Sequence, residues 1–202
     1  MDINNLKEKI KNGYAIKREE AIEVYNSDYE SLTAAADELR EYFCGNDFDV
    51  CTIINAKSGK CSENCKFCAQ SAHYHTNVKE YDLLDEEIIV KDALDKYKRG
   101  IPRYSMVASG KGLTPKDIDK ICSITKKIYE EAPDIKVCIS GGIISEESFE
   151  KLKEAGITRI HNNLETSRNF FPEICTTHTY DQKIETIKAA QKAGMEICSG
   201  GL

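Results

Sequence analysis

The chain has 202 residues, 41% of them hydrophobic, which is enough for a globular domain and excludes a mainly disordered chain. Its formal net charge of −6 argues against a nucleic-acid partner, because a broad nucleic-acid-binding surface needs an excess of basic residues. No apolar run approaches the ~20 residues of a membrane-spanning helix, and the N-terminus is too charged for a signal peptide, so we expect a cytoplasmic chain without a membrane partner.

Residues 1–46 are predicted to form a helical N-terminal extension. Apolar residues in its last third recur at intervals of three or four: Leu32, Ala35, Ala36, Leu39 and Phe43. This spacing predicts an amphipathic helix whose apolar stripe faces a core. Asp28 is the expected N-cap of that helix, and Gly45 follows its expected end.

Residues 47–202 are predicted to alternate short strands with helices. The strands are expected at about 50–55, 103–107, 136–139, 158–162 and 195–198. The intervening helices have cap residues at their starts, such as Thr114 and Thr179, and glycines at their ends, such as Gly156 and Gly194. Such alternation predicts a parallel α/β sheet, because parallel strands need a crossover that is usually helical. A β/α barrel and an open doubly wound sheet both fit this pattern.

Three of the nine cysteines, Cys61, Cys65 and Cys68, lie in a polar loop after the first predicted strand. A β/α fold places its chemistry in such loops, and a cytoplasmic chain rarely uses cysteines for disulfides. Zinc sites usually have four ligands, so a zinc site here would need His73 or His75 as well. Iron–sulfur clusters are held by short runs of cysteines, and three ligands leave one iron of a four-iron cluster open for catalysis.

The C-x₃-C-x₂-C spacing, with Phe67 before the third cysteine, resembles the signature of radical S-adenosylmethionine (SAM) enzymes. The flanking segments, in order from about residue 40 to the end, resemble the biotin synthase family. These segments are 55–59, 68–72, 107–110, 161–167, 176–180 and 198–201. The resemblance implies a radical SAM TIM-type (βα) barrel, of which residues 47–202 would supply about five of the eight units. We therefore expect a chain truncated at its C-terminal end.

By this resemblance, Cys61, Cys65 and Cys68 hold a [4Fe–4S] cluster whose open iron binds SAM. Reductive cleavage of SAM would give a 5′-deoxyadenosyl radical, which abstracts hydrogen from dethiobiotin so that sulfur can be inserted to form biotin. The implied cofactor-binding residues are Phe67, Asn163, Glu165 and Lys183. No catalytic side chain is expected beyond the cluster ligands. The implied partners are dethiobiotin, a reduced flavodoxin or ferredoxin, and a second copy of the chain.

The family resemblance also implies an auxiliary iron–sulfur cluster, of [2Fe–2S] or another type, that donates the sulfur. Cys138 and Cys198 match two of its ligands, on the third and fifth predicted strands, from which both would face one buried point. Ser105 stands where a third cysteine is usual, and a hydroxyl is a poor iron ligand beside a thiolate. We hypothesise that Cys44 and Cys51 complete a differently built auxiliary cluster.

Two other interpretations stay open at this point. One is a related radical SAM enzyme that acts on another small molecule. The other is a metal-binding fragment without catalytic activity. The sequence assigns no role to Cys122, Cys175, His161 or His178.

Overall fold

A computed structural model describes residues 1–46 and 48–201 of the chain. The chain divides into two compact units, Met1–Phe48 and Asp49–Leu202. Asp47, where the predicted domain boundary falls, and Leu202 lie outside the described residues. Among the described residues, no helix combines the length and apolar character needed to cross a membrane.

The N-terminal unit contains three helices, α1 (Ile3–Lys11), α2 (Arg18–Tyr25) and α3 (Tyr29–Cys44). The predicted ends of α3 are confirmed, since Asp28 accepts a hydrogen bond from the Ser31 backbone N–H and Gly45 is the C-cap. The predicted apolar stripe is only partly correct. Ala35 is buried, but Ala36 and Phe43 are exposed within the described structure. Since α1 is the helix that packs against α3, little apolar surface is available to cover the whole stripe.

The second unit is built on a parallel sheet whose five strands follow one another in chain order. The strands are β1 (Cys51–Lys57), β2 (Arg103–Ala108), β3 (Lys136–Ser140), β4 (Arg159–His161) and β5 (Glu196–Cys198). The helices between them are α4 (Glu86–Lys98), α5 (Pro115–Glu131), α6 (Glu146–Glu154), α7 (Phe171–Ile174) and α8 (Tyr180–Lys192). A doubly wound sheet reverses its strand order at a switch point, whereas successive barrel strands do not. The order therefore confirms a partial β/α barrel.

The short helix α7 was not predicted from the sequence. It lies in the long connection between β4 and α8, and Phe171 is its buried residue. Four residues are too few to display a helical period, so no pattern indicated it. Its position matters for function, because it precedes the segment that reaches the cysteine loop.

The two faces of the sheet have different chemistry. One face is apolar and packs on the helices. Its fully buried Tyr104 and Val137 belong to the same core cluster as Leu152 of α6. On the other face, Ser105 pairs in register with Cys138, which in turn pairs with Arg159. Side chains alternate between faces along a strand, so polar and thiol side chains share the inner face of the partial barrel. The sheet thus has one apolar face that packs on the helices and an inner face with polar and thiol side chains.

The predicted N-cap of α5 can be tested by substitution. The Thr114 hydroxyl accepts a hydrogen bond from the Asp117 backbone N–H, and the Asp117 side chain accepts one from the Thr114 N–H. Thr114→Ala is expected to lower the free energy of unfolding by about 0.5–2 kcal/mol, measured by urea denaturation. Thr114→Ser keeps the hydroxyl and should stay close to the unsubstituted chain. Equal losses in the two variants would exclude the cap as the cause.

Candidate metal centre

The loop after β1 wraps back on itself around its cysteines. Cys61 is buried, and Cys65 and Cys68 are half-buried. The Cys61 backbone N–H donates to the Gln70 carbonyl at 3.1 Å, and the Ala72 N–H donates to the Cys61 carbonyl at 2.8 Å. Within the loop that these two hydrogen bonds close, the Cys68 N–H donates to the Cys65 carbonyl at 3.0 Å. The backbone therefore holds the three thiols in one short, closed loop.

All three thiols line one cavity of about 260 Å³ at the carboxyl ends of the strands. The loops that follow β1, β2, β3 and β4 all contribute to its wall. Besides the cysteines, the lining includes Phe67, Val107, Ser109, Gly142, Glu165, Phe171 and Lys183. This is the end of a parallel β/α fold at which binding sites form.

The donor set fits a [4Fe–4S] cluster. Three soft thiols face a cavity with room beside them, which is the arrangement that leaves one iron accessible. Burial, together with the neighbouring Cys175 and Cys68 thiols, raises the pKa of Cys65 to about 12. The thiol therefore stays protonated at neutral pH until a metal displaces its proton.

The structure does not bring the histidines of the zinc alternative to these thiols. His73 and His75 are exposed, and His73 Nε2 lies 3.0 Å from the Ser62 carbonyl oxygen. Among the described residues, the one group of three candidate ligands within 4.8 Å of one another is Cys65, Cys175 and His178. A zinc site that uses His73 or His75 is therefore not formed.

Three of the four predicted cofactor-binding residues line the cavity, namely Phe67, Glu165 and Lys183. Glu165 has a left-handed backbone, with φ 67°, and its N–H donates to the Gly200 carbonyl. A non-glycine residue in this conformation is strained, and such strain occurs at ligand sites. Burial lowers the pKa of Lys183, although the nearby Glu165 carboxylate opposes the shift. The two side chains bring a carboxylate and an ammonium group to the cavity.

The fourth predicted residue, Asn163, does not line the cavity. It is exposed, and its Oδ1 accepts a hydrogen bond from the Gly200 N–H at 3.1 Å. Both Asn163 and Glu165 thereby connect the loop after β4 to the loop after β5. In this structure Asn163 supports the wall of the site from outside.

Asn64, inside the cysteine motif, fastens the loop to the segment that follows α7. Its Oδ1 accepts hydrogen bonds from the Thr176 and Thr177 backbone N–H groups at 2.9 and 3.3 Å. Its Nδ2 donates to the Thr176 hydroxyl at 2.6 Å, and the Lys66 N–H donates to the Ile174 carbonyl. These contacts join residues more than one hundred positions apart in the chain.

The same segment places two residues without a role predicted from the sequence, Cys175 and His178, beside Cys65. Cys175 is buried, with its Sγ 3.7 Å from Cys65 Sγ. His178 Nδ1 lies 3.3 Å from Cys175 Sγ and 2.6 Å from Glu63 Oε2. Burial by itself would raise the pKa of Glu63, but hydrogen bonds from His178 and Thr177 outweigh it and hold the pKa below its usual value. The available signal was that Cys175 and His178, both residue types that ligate metals, lie three positions apart.

The predicted auxiliary residues occupy the inner face of the sheet at different levels. Cys138 is fully buried and pairs with Arg159, whereas Cys198 is exposed and pairs with His161, two positions further along β4. The two thiols thus share the inner face of the sheet, and their convergence on one cluster stays a prediction. The register moves Cys198 one layer toward the carboxyl ends of the strands.

Several polar atoms on the inner face of the sheet are buried without a hydrogen-bond partner among the described residues. Arg103 donates through Nη1 to Cys138 Sγ at 3.6 Å, while its Nε has no hydrogen-bond partner in the part of the chain that the structure describes. The Ser105 hydroxyl and His161 Nε2 are also buried without a partner among the described residues. Buried polar atoms are seldom left unpaired, so these atoms can bind ordered water or a polar group of a ligand. This inner face is therefore suited to hold a polar or charged group.

The two extra cysteines of the auxiliary hypothesis lie in different units. Cys51 begins β1 and is exposed. Cys44 ends α3 of the N-terminal unit and is also exposed.

Sequence comparison identifies similar proteins along the whole chain. The profile described as the radical SAM superfamily matches residues 56–202. A biotin synthase of Brachyspira hyodysenteriae is 53% identical over 202 residues, covering 100% of this chain and 60% of that protein. A biotin synthase of Clostridium botulinum is 50% identical over 201 residues, covering 100% of this chain and 63% of that protein. The chain thus spans about 60% of the length of these curated relatives.

Structure comparison finds the same architecture at low sequence identity. The crystal structure of HydG, a maturase of the [FeFe]-hydrogenase, matches 100% of this chain and 46% of its own, with a TM-score of 0.77 and 22% identity. The crystal structure of methylornithine synthase (PylB) matches 97% of this chain and 58% of its own, with a TM-score of 0.77 and 19% identity. At these low sequence identities, the two comparisons show a similarity of fold alone.

Proposed function

Because the chain belongs to the radical SAM superfamily, we propose that it is the cluster-binding and SAM-binding part of a biotin synthase. In this proposal Cys61, Cys65 and Cys68 ligate a [4Fe–4S] cluster, and dethiobiotin is the substrate that becomes biotin. A flavodoxin or ferredoxin supplies electrons, in a reducing cytoplasm. The single observation that carries the proposal is the convergence of the three thiols on one cavity that Glu165 and Lys183 also line.

The residues around the cavity divide the binding tasks. When bound, the cluster supplies the electron that cleaves SAM to methionine and a 5′-deoxyadenosyl radical. The Glu165 carboxylate is suited to accept hydrogen bonds from ribose hydroxyls, and the Lys183 ammonium to pair with a carboxylate. Phe67 offers an aromatic face beside the cluster. The protein thereby orients the cofactor and limits the access of water, while the cofactor carries the radical chemistry.

The function is tested by loading the full chain with iron and sulfide under anaerobic conditions and reducing it with dithionite. We expect cleavage of SAM to 5′-deoxyadenosine. With dethiobiotin deuterated at the carbons that sulfur bridges, deuterium should appear in the 5′-deoxyadenosine. A chain that binds iron and sulfide and cleaves SAM without taking up deuterium would instead be a radical enzyme for another small molecule. A chain that binds no sulfide would contradict the proposal as a whole.

Glu165 provides a more local prediction. Glu165→Gln is expected to raise the Kd for SAM about 10-fold or more, because hydrogen bonds to a charged group contribute about 1.5–3 kcal/mol. Equilibrium dialysis of the cluster-loaded chain with labelled SAM measures this change. Glu173→Gln is the matched control, since Glu173 is exposed on α7 and does not line the cavity. An equal change in both variants would exclude a direct contact with Glu165.

We propose in addition that Cys138 and Cys198 ligate an auxiliary iron–sulfur cluster, with Cys44 and Cys51 completing it. The unpartnered Arg103, Ser105 and His161 atoms near Cys138 support a charged ligand on this face. The Arg103 guanidinium is suited to stabilise the charge of such a cluster. Ser105, opposite Cys138 in the register, leaves a ligand position to be filled by another residue.

Iron and sulfide stoichiometry tests this assignment. The Cys44→Ala/Cys51→Ala double variant and the Cys138→Ala variant are each expected to lose the auxiliary share of iron and sulfide while keeping SAM cleavage. Cys122→Ala is the control, because that thiol lies on helix α5 beside the Lys151 carbonyl and not on the inner face of the sheet. Unchanged stoichiometry in the double variant would exclude Cys44 and Cys51 as ligands.

A further inference from the structure

We propose that Cys65, Cys175 and His178 form a site for a single thiophilic divalent cation such as Zn²⁺, and that occupation of this site excludes the [4Fe–4S] cluster. Two of these residues lie outside the cysteine motif, and all three ligand atoms lie within 4.8 Å of one another. The site shares one ligand, Cys65, with the proposed cluster. The cation and the cluster therefore compete for the same thiolate.

The spacing of the ligand atoms suits one tetrahedral ion. At Zn–S lengths of about 2.3 Å, two thiolates on a tetrahedral ion lie about 3.8 Å apart. The Cys65 and Cys175 sulfurs are 3.7 Å apart. A cubane cluster lies between its thiolates and keeps them further apart than a single ion does. The Cys65–Cys175 pair is accordingly closer than two ligands of a cluster need to be.

Glu63 prepares His178 to act as the third ligand. The Glu63 and His178 side chains are both nearly buried, and Glu63 Oε2 is 2.6 Å from Nδ1. A proton on Nδ1 that is donated to Glu63 leaves Nε2 free, and Nε2 lies 3.8 Å from Cys175 Sγ. A carboxylate behind a histidine ligand in this way fixes its tautomer and raises its basicity. The second shell of a zinc site is thus already in place.

The connection between the two loops makes the site rigid. Asn64 lies directly before Cys65 and binds the backbone of Thr176 and Thr177, between the two other ligands. The thiols and the imidazole are therefore positioned before any ion arrives. Binding forms two Zn–S bonds and one Zn–N bond and releases the two thiol protons to solvent, with a fourth position left for water.

The first experiment uses the full chain in its cluster-free form, purified without oxygen, and measures Zn²⁺ affinity by competition with a chromophoric chelator. Removing an outer-shell partner costs 10–100-fold in metal affinity, and removing a ligand costs more. We expect Cys175→Ser and His178→Ala each to weaken binding by at least about 100-fold, and Glu63→Gln by about 10–100-fold. Co²⁺ in place of Zn²⁺ should give the visible spectrum of a tetrahedral thiolate site.

Two cysteine variants separate this site from the cluster motif. Cys68→Ala should keep its Zn²⁺ affinity, because Cys68 is outside the three-ligand group, but should lose the cluster. Cys122→Ala should change neither property. Zn²⁺ affinity that depends on Cys68, or that survives both Cys175→Ser and His178→Ala in chains with unchanged far-UV circular dichroism, would overturn the proposal.

The second experiment tests competition. One equivalent of Zn²⁺ added before iron and sulfide should reduce cluster formation in the unsubstituted chain in proportion to zinc occupancy. The same addition should have no effect on Cys175→Ser or His178→Ala. Equal inhibition in all three chains would refute the shared use of Cys65. Zinc affinity is measured without a cluster, so its outcome is independent of whether the proposed function holds.

Discussion

Replacing Cys61 with alanine is expected to abolish cluster formation and to lower 5′-deoxyadenosine production by more than about 100-fold, since losing a metal ligand costs more than losing its outer-shell support. Cys61 is the most deeply buried thiol of the motif, at 8% exposure, so water cannot easily replace it as a ligand. It also lies outside the proposed zinc site. Its loss therefore reports on the cluster alone.

The measurements are iron and sulfide content, visible absorbance and 5′-deoxyadenosine formed after reduction with dithionite. Cys122→Ala serves again as the matched control, because it removes a half-buried thiol from α5 and none from the cavity. Full SAM cleavage by the Cys61→Ala variant would show that another group replaces it. In that case the three-cysteine assignment would be wrong.

The second large effect concerns the apolar layer that supports the site. Leu152→Ala is expected to reduce the free energy of unfolding by about 2–5 kcal/mol, because it leaves a cavity in a packed core. Leu152 is fully buried on α6, and α6 packs against α5 and α8. The cavity therefore weakens the packing of α6 against both of these helices. Few single substitutions away from the cysteines should destabilise the second unit as much.

Urea unfolding of the cluster-free chain, followed by far-UV circular dichroism, measures this change. Lys153→Ala on the same helix is the control, since Lys153 is exposed and surface substitutions usually change stability by less than about 0.5 kcal/mol. A loss below about 1 kcal/mol in Leu152→Ala would mean that neighbouring side chains fill the space, contrary to the tight packing of this layer.

The elements of the fold were largely predictable because their signals are local. The hydroxyls of Thr114 and Thr179 cap their helices as the sequence indicates. The strands were predicted in number and order of occurrence, with ends displaced by one or two residues, because pairing rather than composition decides where a strand stops. The apolar stripe of α3 was overestimated, since a stripe shows what can be buried and not what is available to cover it.

The candidate site was only partly predictable. Cys61, Cys65 and Cys68 are recognisable because all three lie within eight residues. The positions of Asn163 and Cys198 depend on partners from another part of the chain. The Asn163 side chain accepts a hydrogen bond from the Gly200 backbone, and Cys198 pairs in register with His161. Neither contact has a signature in the local sequence.

By itself the sequence determined the β/α alternation, the helix caps and the cysteine motif, because each depends on residues within one or two turns of chain. The tertiary structure alone decided that Cys175 and His178 meet Cys65, 110 positions away from Cys175. That meeting requires the loop after β1 and the segment after α7 to converge at one end of the sheet. Asn64 holds them there by hydrogen bonds to a backbone that only the fold brings within reach.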